Sequence, residues 1–435
     1  MSTLKLSLVA LTLRVGLMLV VMVNALLLAR TLGPQRFGEY FLFLRVVSVL
    51  AVLADLGLSQ SANAFFGRHK GWRGSIHRVI LKFVPIFWFV TTAIAGLTLW
   101  GLADVLLPNL SWSLIVMGFV VLPLSQYANL WNSMMLGMGR IWRVNLVQLA
   151  MCSLSLAFTI IFVVMLSGGV MVAATIYLSV MFLQFLVMLG MALRLSEDAV
   201  TDEPPAELAQ TMLNFGLRGY PGSLFYLLWT RIPVFILNAT HGAVAVGFFS
   251  IAQQMAEKIQ LPVQAVQDVI YQKMSVLPRN LARLAMNRYL RLTWWGMIVV
   301  VLAGAFLAPW LVVPLLGPAY ASVVQPTQIL LAGVAFTGVS QLLDVYFVNQ
   351  LHRPGMASIL AWISVALGLT LAVVLIPTYS EKGAAWAVAC TSIIGSVVYA
   401  GIYLSVTGTS IKELLLIRKH DVSLVQQELV GMLRR

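Results

Sequence analysis

The chain is 435 residues long, 60% hydrophobic and only 10% charged, with a mean hydropathy of +0.93. That balance excludes an ordinary water-soluble domain. The net charge of +13 raises nucleic acid as a partner, and the placement of the charges removes it.

A membrane-spanning helix needs about 20 mostly apolar residues. Twelve stretches meet that length, near 6–29, 38–62, 80–103, 112–136, 144–167, 170–193, 212–237, 243–267, 292–316, 325–349, 356–377 and 384–406. The fold class expected is all-α, a polytopic membrane protein with 12 transmembrane helices in two six-helix lobes. The first stretch is interrupted by Arg14 and has no small-x-small cleavage site before Arg30, so it does not read as a cleavable leader. It ends in a turn with glycines five apart, Gly33 and Gly38, and a second apolar helix follows. The next loop carries Arg68, Lys70, Arg73, Arg78 and Lys82. Cys152 and Cys390 fall inside spans and read as small core residues, not a disulfide framework.

After six spans comes the most polar and acidic segment, from Arg194 to Glu207, and its Pro204-Pro205 bars a continuous helix. It divides the chain into an N-terminal lobe at 1–193, a linker at 194–210, a C-terminal lobe at 211–406 and a tail at 407–435. The second half repeats features of the first. Leu217-Arg218 opens an apolar helix and Gly242 and Gly247 close it, at a shift of 209 from Gly33 and Gly38. Arg218 lies 204 beyond Arg14, a five-residue difference in helix length. The eighth-to-ninth loop again holds five cations, Lys273, Arg279, Arg283, Arg288 and Arg291. Six being even, both lobes start on the same side, so the repeat is parallel, about an axis along the membrane normal. Gly219-Tyr220-Pro221-Gly222 is expected to break or bend span seven, and the tail from Ile411 has the spacing of an interfacial helix.

With the N-terminus inside, 20 of the 28 Lys and Arg fall in cytoplasmic loops or tails and only Arg30, Arg36 and Lys382 fall outside. That asymmetry is the positive-inside rule. It puts both termini in the cytoplasm and accounts for the basic balance without nucleic acid.

No phosphate-binding G-x-x-x-x-G-K-[ST], H-E-x-x-H, C-x-x-C or G-x-S-x-G occurs, and the five histidines, His69, His77, His241, His352 and His420, fall in expected loops or tails. No metal site, cofactor or catalysis is therefore expected, and the external loops are too short for an outer domain. The informative residues are charges inside spans, each of which costs at least about 3 kcal/mol at the bilayer centre and needs a partner or a wet cavity. Arg14, Arg45, Arg218, Arg231 and Lys258 outnumber Asp55, Glu257, Asp344 and Asp268, the last at the rim. A mildly cationic interior suits an anionic cargo, since guanidinium pairs with phosphate bidentately. Two readings stand side by side. Arg14 and Asp55 lie at matching depth, roughly 10–12 Å in at about 1.5 Å per residue, and either line the cavity or pair across the hairpin. Arg218 has no carboxylate at the matching depth on span eight, where the position equivalent to Asp55 falls near Gln264, and so ranks first for the cavity, with Arg231 and Lys258 next and Arg45 close enough to the surface to snorkel. Asp55, Glu257 and Asp344 are either coupling sites for H⁺ or Na⁺ or partners for these cations.

Arg14-x-Gly16, Leu28-Ala29-Arg30-x-Leu32-Gly33-Pro34-x-x-Phe37-Gly38-x-Tyr40 and Ala54-Asp55-Leu56-Gly57-Leu58 resemble the start of the Wzx-type polysaccharide flippases of the multidrug/oligosaccharidyl-lipid/polysaccharide superfamily. The resemblance is sharpest over 11–70 and looser through 211–260. It implies two six-helix lobes forming a V, alternating access, and movement of undecaprenyl-diphosphate-linked oligosaccharide from the cytoplasmic to the periplasmic leaflet of a bacterial inner membrane. It implies a substrate-binding cavity with Arg14 and Arg218 near the cytoplasmic mouth and Arg231 and Lys258 deeper, and it leaves room for other polysaccharide-assembly proteins as partners. The expected function is thus a flippase and not an enzyme. The rivals are a multidrug/cation antiporter, expected to have a more acidic cavity, a lipid II flippase, expected to add spans, and a membrane polymerase or ligase, expected to need a large periplasmic loop.

Overall fold

Lipid offers no hydrogen-bond partner to backbone N–H and C=O groups, so a spanning chain satisfies them within helices. The computed structural model describes residues 3–108, 110–197, 207–351 and 353–416, and every regular element among them is helical. In chain order these are α1 (Thr3–Asp55), α2 (Leu58–Arg68), α3 (Arg73–Leu106), α4 (Trp112–Gly137), α5 (Ile141–Phe158), α6 (Val170–Glu197), α7 (Leu208–Ile259), α8 (Leu261–Val276), α9 (Arg279–Leu316), α10 (Val324–Val345), α11 (Pro354–Thr407) and α12 (Ile411–Leu415). A wider π turn, Thr159–Met165, extends α5, and another, Tyr346–Gln350, extends α10.

Nine helices among the described residues are long and apolar enough to cross a membrane. Three of the nine hold a non-helical residue, Gly33 in α1, Gly242 in α7 and Ser380 in α11, so each is two helices meeting at a kink. Two of the stretches expected from hydropathy fall largely along each of these three helices. Pro221 and Pro233 sit inside α7 without interrupting it, and the break falls at Gly242 instead. A proline removes one hydrogen bond, which membrane helices tolerate, whereas Gly242 takes φ 77°, ψ −174°, a region open in practice to glycine alone. The expected acidic linker lies mostly outside the described residues, since α6 ends at Glu197 and α7 begins at Leu208. Of the expected tail helix, Ile411–Leu415 is described, its first turn capped by the Ser410 hydroxyl accepting the Glu413 N–H at 3.2 Å.

By contact the chain forms two units, Met1–Phe248 and Phe249–Arg435. Leu58, Phe66, Ile76, Tyr127, Trp131 and Met134 centre the core of the first. Met286, Leu290, Leu342, Phe347 and Tyr403 centre the second. Apolar side chains also face outward: Phe89 is 68% exposed, Trp100 86%, Phe306 72% and Trp310 71%. Water would penalise that surface and lipid does not.

With no hydrophobic drive between helices in lipid, small residues and polar bonds hold such a bundle together. Asn24 donates to Ser155 at 3.5 Å, Gln126 Nε2 to the Ala54 carbonyl at 2.7 Å, and Asn349 to the Tyr271 carbonyl at 3.3 Å. His77, expected in a loop, is buried inside α3 with its Nε2 2.8 Å from the Tyr127 hydroxyl. Helix α3 starts at Arg73, several residues ahead of the apolar stretch. Hydropathy counts the spanning part of a helix and misses its polar extension.

Candidate functional site

Two crossings in the first unit place the residues singled out from the sequence. At Gly33 (φ 75°, ψ 170°) and Gly242 (φ 77°, ψ −174°) the backbone takes nearly the same conformation, and at Gly33 Pro34 then restarts the helix from a first position it favours. The following turns touch. A Cβ at Gly38 would lie 1.8 Å from the Ala243 carbonyl oxygen, and one at Gly247 would lie 2.2 Å from that of Pro34. Ala243 is Pro34 shifted by 209 and Gly247 is Gly38 shifted by 209. The contact is therefore reciprocal, the form an interface takes when a twofold relates its halves.

The second crossing joins the end of α1 and α2 to the start of α7. Tyr220 donates its hydroxyl to the Leu53 carbonyl at 3.3 Å, Gly57 and Gly216 meet backbone to backbone, and the Ser61 hydroxyl donates to the Met212 carbonyl. Residues 53, 57 and 61 thus run antiparallel to 220, 216 and 212. The hydropathy reading missed this seam. Its signal was the small-x-x-x-small pair Gly57 and Ser61, which lets backbones approach.

That register brings Asp55 and Arg218 to one level of the helix pair. Asp55 accepts the Ser59 hydroxyl at 2.5 Å and the Ser59 N–H at 3.2 Å, which caps the start of α2. Its hydrogen bonds to Ser59 are local to the turn between α1 and α2. Arg218 is exposed, and among the described residues it forms no hydrogen bond or ion pair. A guanidinium left open on a seam beside Tyr220 can bind an oxyanion through two parallel N–H donors.

The other expected site residues are more scattered. Arg14 is exposed on the first half of α1. Arg45 is half-buried, its guanidinium carbon 4.2 Å from the centre of the Phe41 ring, a cation–π contact. Arg231 is half-buried midway along α7. Glu257, exposed, and Lys258, half-buried, share the last turn of α7 in the second unit. Asp344, on α10, accepts the Tyr399 hydroxyl at 3.4 Å. Asp268 has no described side chain. Among the described residues no group of three or more His, Cys, Asp or Glu is placed to hold a metal ion, and Cys152 and Cys390 are free thiols.

Residues 4–271 match the model of a family described as polysaccharide biosynthesis protein. No curated protein matches the chain. Among solved structures, the lipid II flippase MurJ in an inward closed conformation is 14% identical, with a TM-score of 0.73 over 95% of this chain and 89% of that one. An inward-facing multidrug resistance MATE transporter of the MOP superfamily is 18% identical, with a TM-score of 0.69 over 93% and 99%. A mutant of the Vibrio cholerae MATE transporter VcmN is 12% identical, with a TM-score of 0.60 over 95% and 99%. With 268 of the 435 residues inside the family match, the chain belongs to the polysaccharide biosynthesis protein family, built on the helical fold of the MOP-superfamily transporters.

Proposed function

We propose that this protein is a flippase moving an undecaprenyl-diphosphate-linked oligosaccharide from the cytoplasmic to the periplasmic leaflet of a bacterial inner membrane. Its two six-helix lobes, 1–193 and 211–406, alternate access to a cationic interior, and both termini lie in the cytoplasm. A diphosphate with several sugars cannot be dragged through hydrocarbon without a polar path, while the prenyl tail stays in lipid. No bond is made or broken.

The observation that carries this reading is Arg218, an exposed arginine inside an apolar helix, unpartnered among the described residues and level with Asp55. The same feature disfavours a cation antiporter, whose cargo would meet a positive charge. The test is transfer in vesicles that carry a prenyl-diphosphate-linked oligosaccharide in both leaflets, read by an impermeant lectin outside. Wild-type protein should expose the inner pool within minutes. Arg218→Ala should slow transfer roughly 10- to 100-fold, the worth of one lost charge-assisted bond pair. Arg218→Lys should recover only part, because a point charge lacks the fork. Transfer no faster than in empty vesicles would overturn the reading, and full activity in Arg218→Ala would remove Arg218 from the site.

A further inference from the structure

The turn joining α1 to α2 has a costly shape. Leu56 takes φ 45° and Gly57 takes φ 80°, two left-handed residues in a row. Glycine enters that region freely, but a leucine Cβ crowds the following carbonyl there, a penalty worth about tenfold in population. The other non-glycine residues with positive φ among those described, Ser167 and Ser380, have short polar side chains. A bulky residue stays in such a conformation only where its surroundings hold it.

Three other helices hold this one. The last carbonyls of a helix lose their partners four residues on, and here side chains from elsewhere supply the donors. Tyr220 of α7 donates its hydroxyl to the Leu53 carbonyl at 3.3 Å. Gln126 of α4, 1% exposed, donates Nε2–H to the Ala54 carbonyl at 2.7 Å. The Oε1 of Gln126 is buried and meets no donor, so that single bond is what its amide contributes. From α2, Ser59 gives its hydroxyl and its N–H to the Asp55 carboxylate. Each of these bonds has a backbone substitute. Were α1 to run on through Leu56 into α2, the ladder would give the carbonyls of Leu53, Ala54 and Asp55 the N–H groups of Gly57, Leu58 and Ser59. Straightening would relieve Leu56, make both side-chain caps redundant and release the Asp55 carboxylate from Ser59.

We propose that residues 55–57 form a two-state hinge, bent in this structure, and that its straightening discharges the anionic cargo. In the antiparallel register that pairs Leu53 with Tyr220 and Gly57 with Gly216, Asp55 lies opposite Arg218. In the bent form Ser59 occupies the carboxylate and Arg218 is left to the cargo. In the straight form the freed carboxylate competes for the same guanidinium fork that grips an oxyanion. Bent is the receptive state and straight the releasing one. The hinge rests on the turn alone, whereas the discharge rests on the flippase reading.

The test is the rate at which a carbodiimide modifies Asp55 in the full chain in nanodiscs, read by peptide mass spectrometry, with Asp344 of the second unit as the internal control. The reagent reaches the Asp55 carboxylate when the hinge is straight. Leu56→Gly removes the left-handed penalty and should slow modification of Asp55 about tenfold. Leu56→Ala keeps a Cβ and should stay within about threefold of the parent. Gln126→Leu removes a bond of the bent form together with its own empty oxygen, and should speed modification about fivefold. The rate at Asp344 should not move in any of the three. A turn that is merely structural gives Leu56→Gly the opposite sign, because glycine loosens a helix end. Faster or unchanged modification in Leu56→Gly therefore overturns the hinge. In the vesicle transfer above, Leu56→Gly should be about tenfold slower than Leu56→Ala. Equal transfer by the two, with modification slowed, overturns the discharge and keeps the hinge. Transfer by the parent no faster than in empty vesicles overturns the flippase reading, and the modification rates still decide the hinge.

Discussion

In the second unit Arg291 is 5% exposed and donates to the Glu413 carbonyl at 2.5 Å, and Arg283 donates to the Thr407 carbonyl at 3.1 Å. In the first unit Arg140 is half-exposed, and Arg73 donates to the Phe66 carbonyl at 3.3 Å. Arg73 and the pair Arg283 and Arg291 belong to rims of equal charge in the sequence, 68–82 and 273–291, each with five Lys and Arg, and Arg140 lies on the α4–α5 connection outside the first of them. One rim commits its arginines to backbone carbonyls at the end of α11 and in α12, which pins the last described helix. In the other, Arg73 donates to the Phe66 carbonyl within its own loop, and beyond it Arg140 forms no hydrogen bond among the described residues. The charge is equal in the two rims and its use differs. Where the halves still agree is at the glycine kinks, because a reciprocal backbone contact cannot drift on one side alone.

The strongest way to break the agreement is Gly38→Ala. The added Cβ would meet the backbone carbonyl of Ala243 at 1.8 Å, and backbone cannot rotate away as a side chain can. Overpacking of this kind costs about 1–3 kcal/mol or more. Gly247→Ala should behave alike, since it strikes Pro34 from the other side. Thermal unfolding in detergent should give both variants a lower midpoint by several degrees. A large drop in one and none in the other would show that the contact is not reciprocal.

The kinks at Gly33 and Gly242 were legible in the sequence because glycine alone readily takes their backbone angles, so the spacing survives as letters, whereas the kink at Ser380 left no such mark. The long apolar helices were legible because hydropathy reports what touches lipid. The Gly57–Gly216 seam was not, since a register between helices some 160 residues apart leaves only small residues as its trace. Nor were the two fates of the rim arginines. The same letters serve a carbonyl cap or an open cation, and only the neighbouring backbone decides. Asp55 reads the same way: its depth suggested an ion pair, and the residue four places on, Ser59, supplies its bonds.

The divergence of the rims sharpens with a pair of neutral substitutions. Arg291→Gln removes a buried donor to the Glu413 carbonyl, a loss of about 1–3 kcal/mol. Arg140→Gln removes a repelled charge at no cost in hydrogen bonds and should hold or slightly raise the unfolding midpoint. The first should therefore lower the midpoint and the second should not, measured without ligand at low salt, where the repulsion is least screened. Equal destabilisation would mean that Arg140 is structural after all, and the contrast between the rims would disappear.

The smallest effect concerns the carboxylates. Asp55 in the first unit accepts a 2.5 Å bond from the Ser59 hydroxyl, and Asp344 in the second accepts a 3.4 Å bond from Tyr399. Bond strength falls with distance, and a contact near 3.4 Å is at the weak end of the range. Ser59→Ala should cost about 1 kcal/mol, the typical worth of a short bond to a charged acceptor in a cap. Tyr399→Phe keeps the ring and its stacking at 5.8 Å on Phe347 and should cost less than about 0.5 kcal/mol. If Tyr399→Phe is the more damaging of the two, Asp344 depends on that hydroxyl more than its length implies, and the second unit's carboxylate, not the first's, is the one held in place by its neighbours.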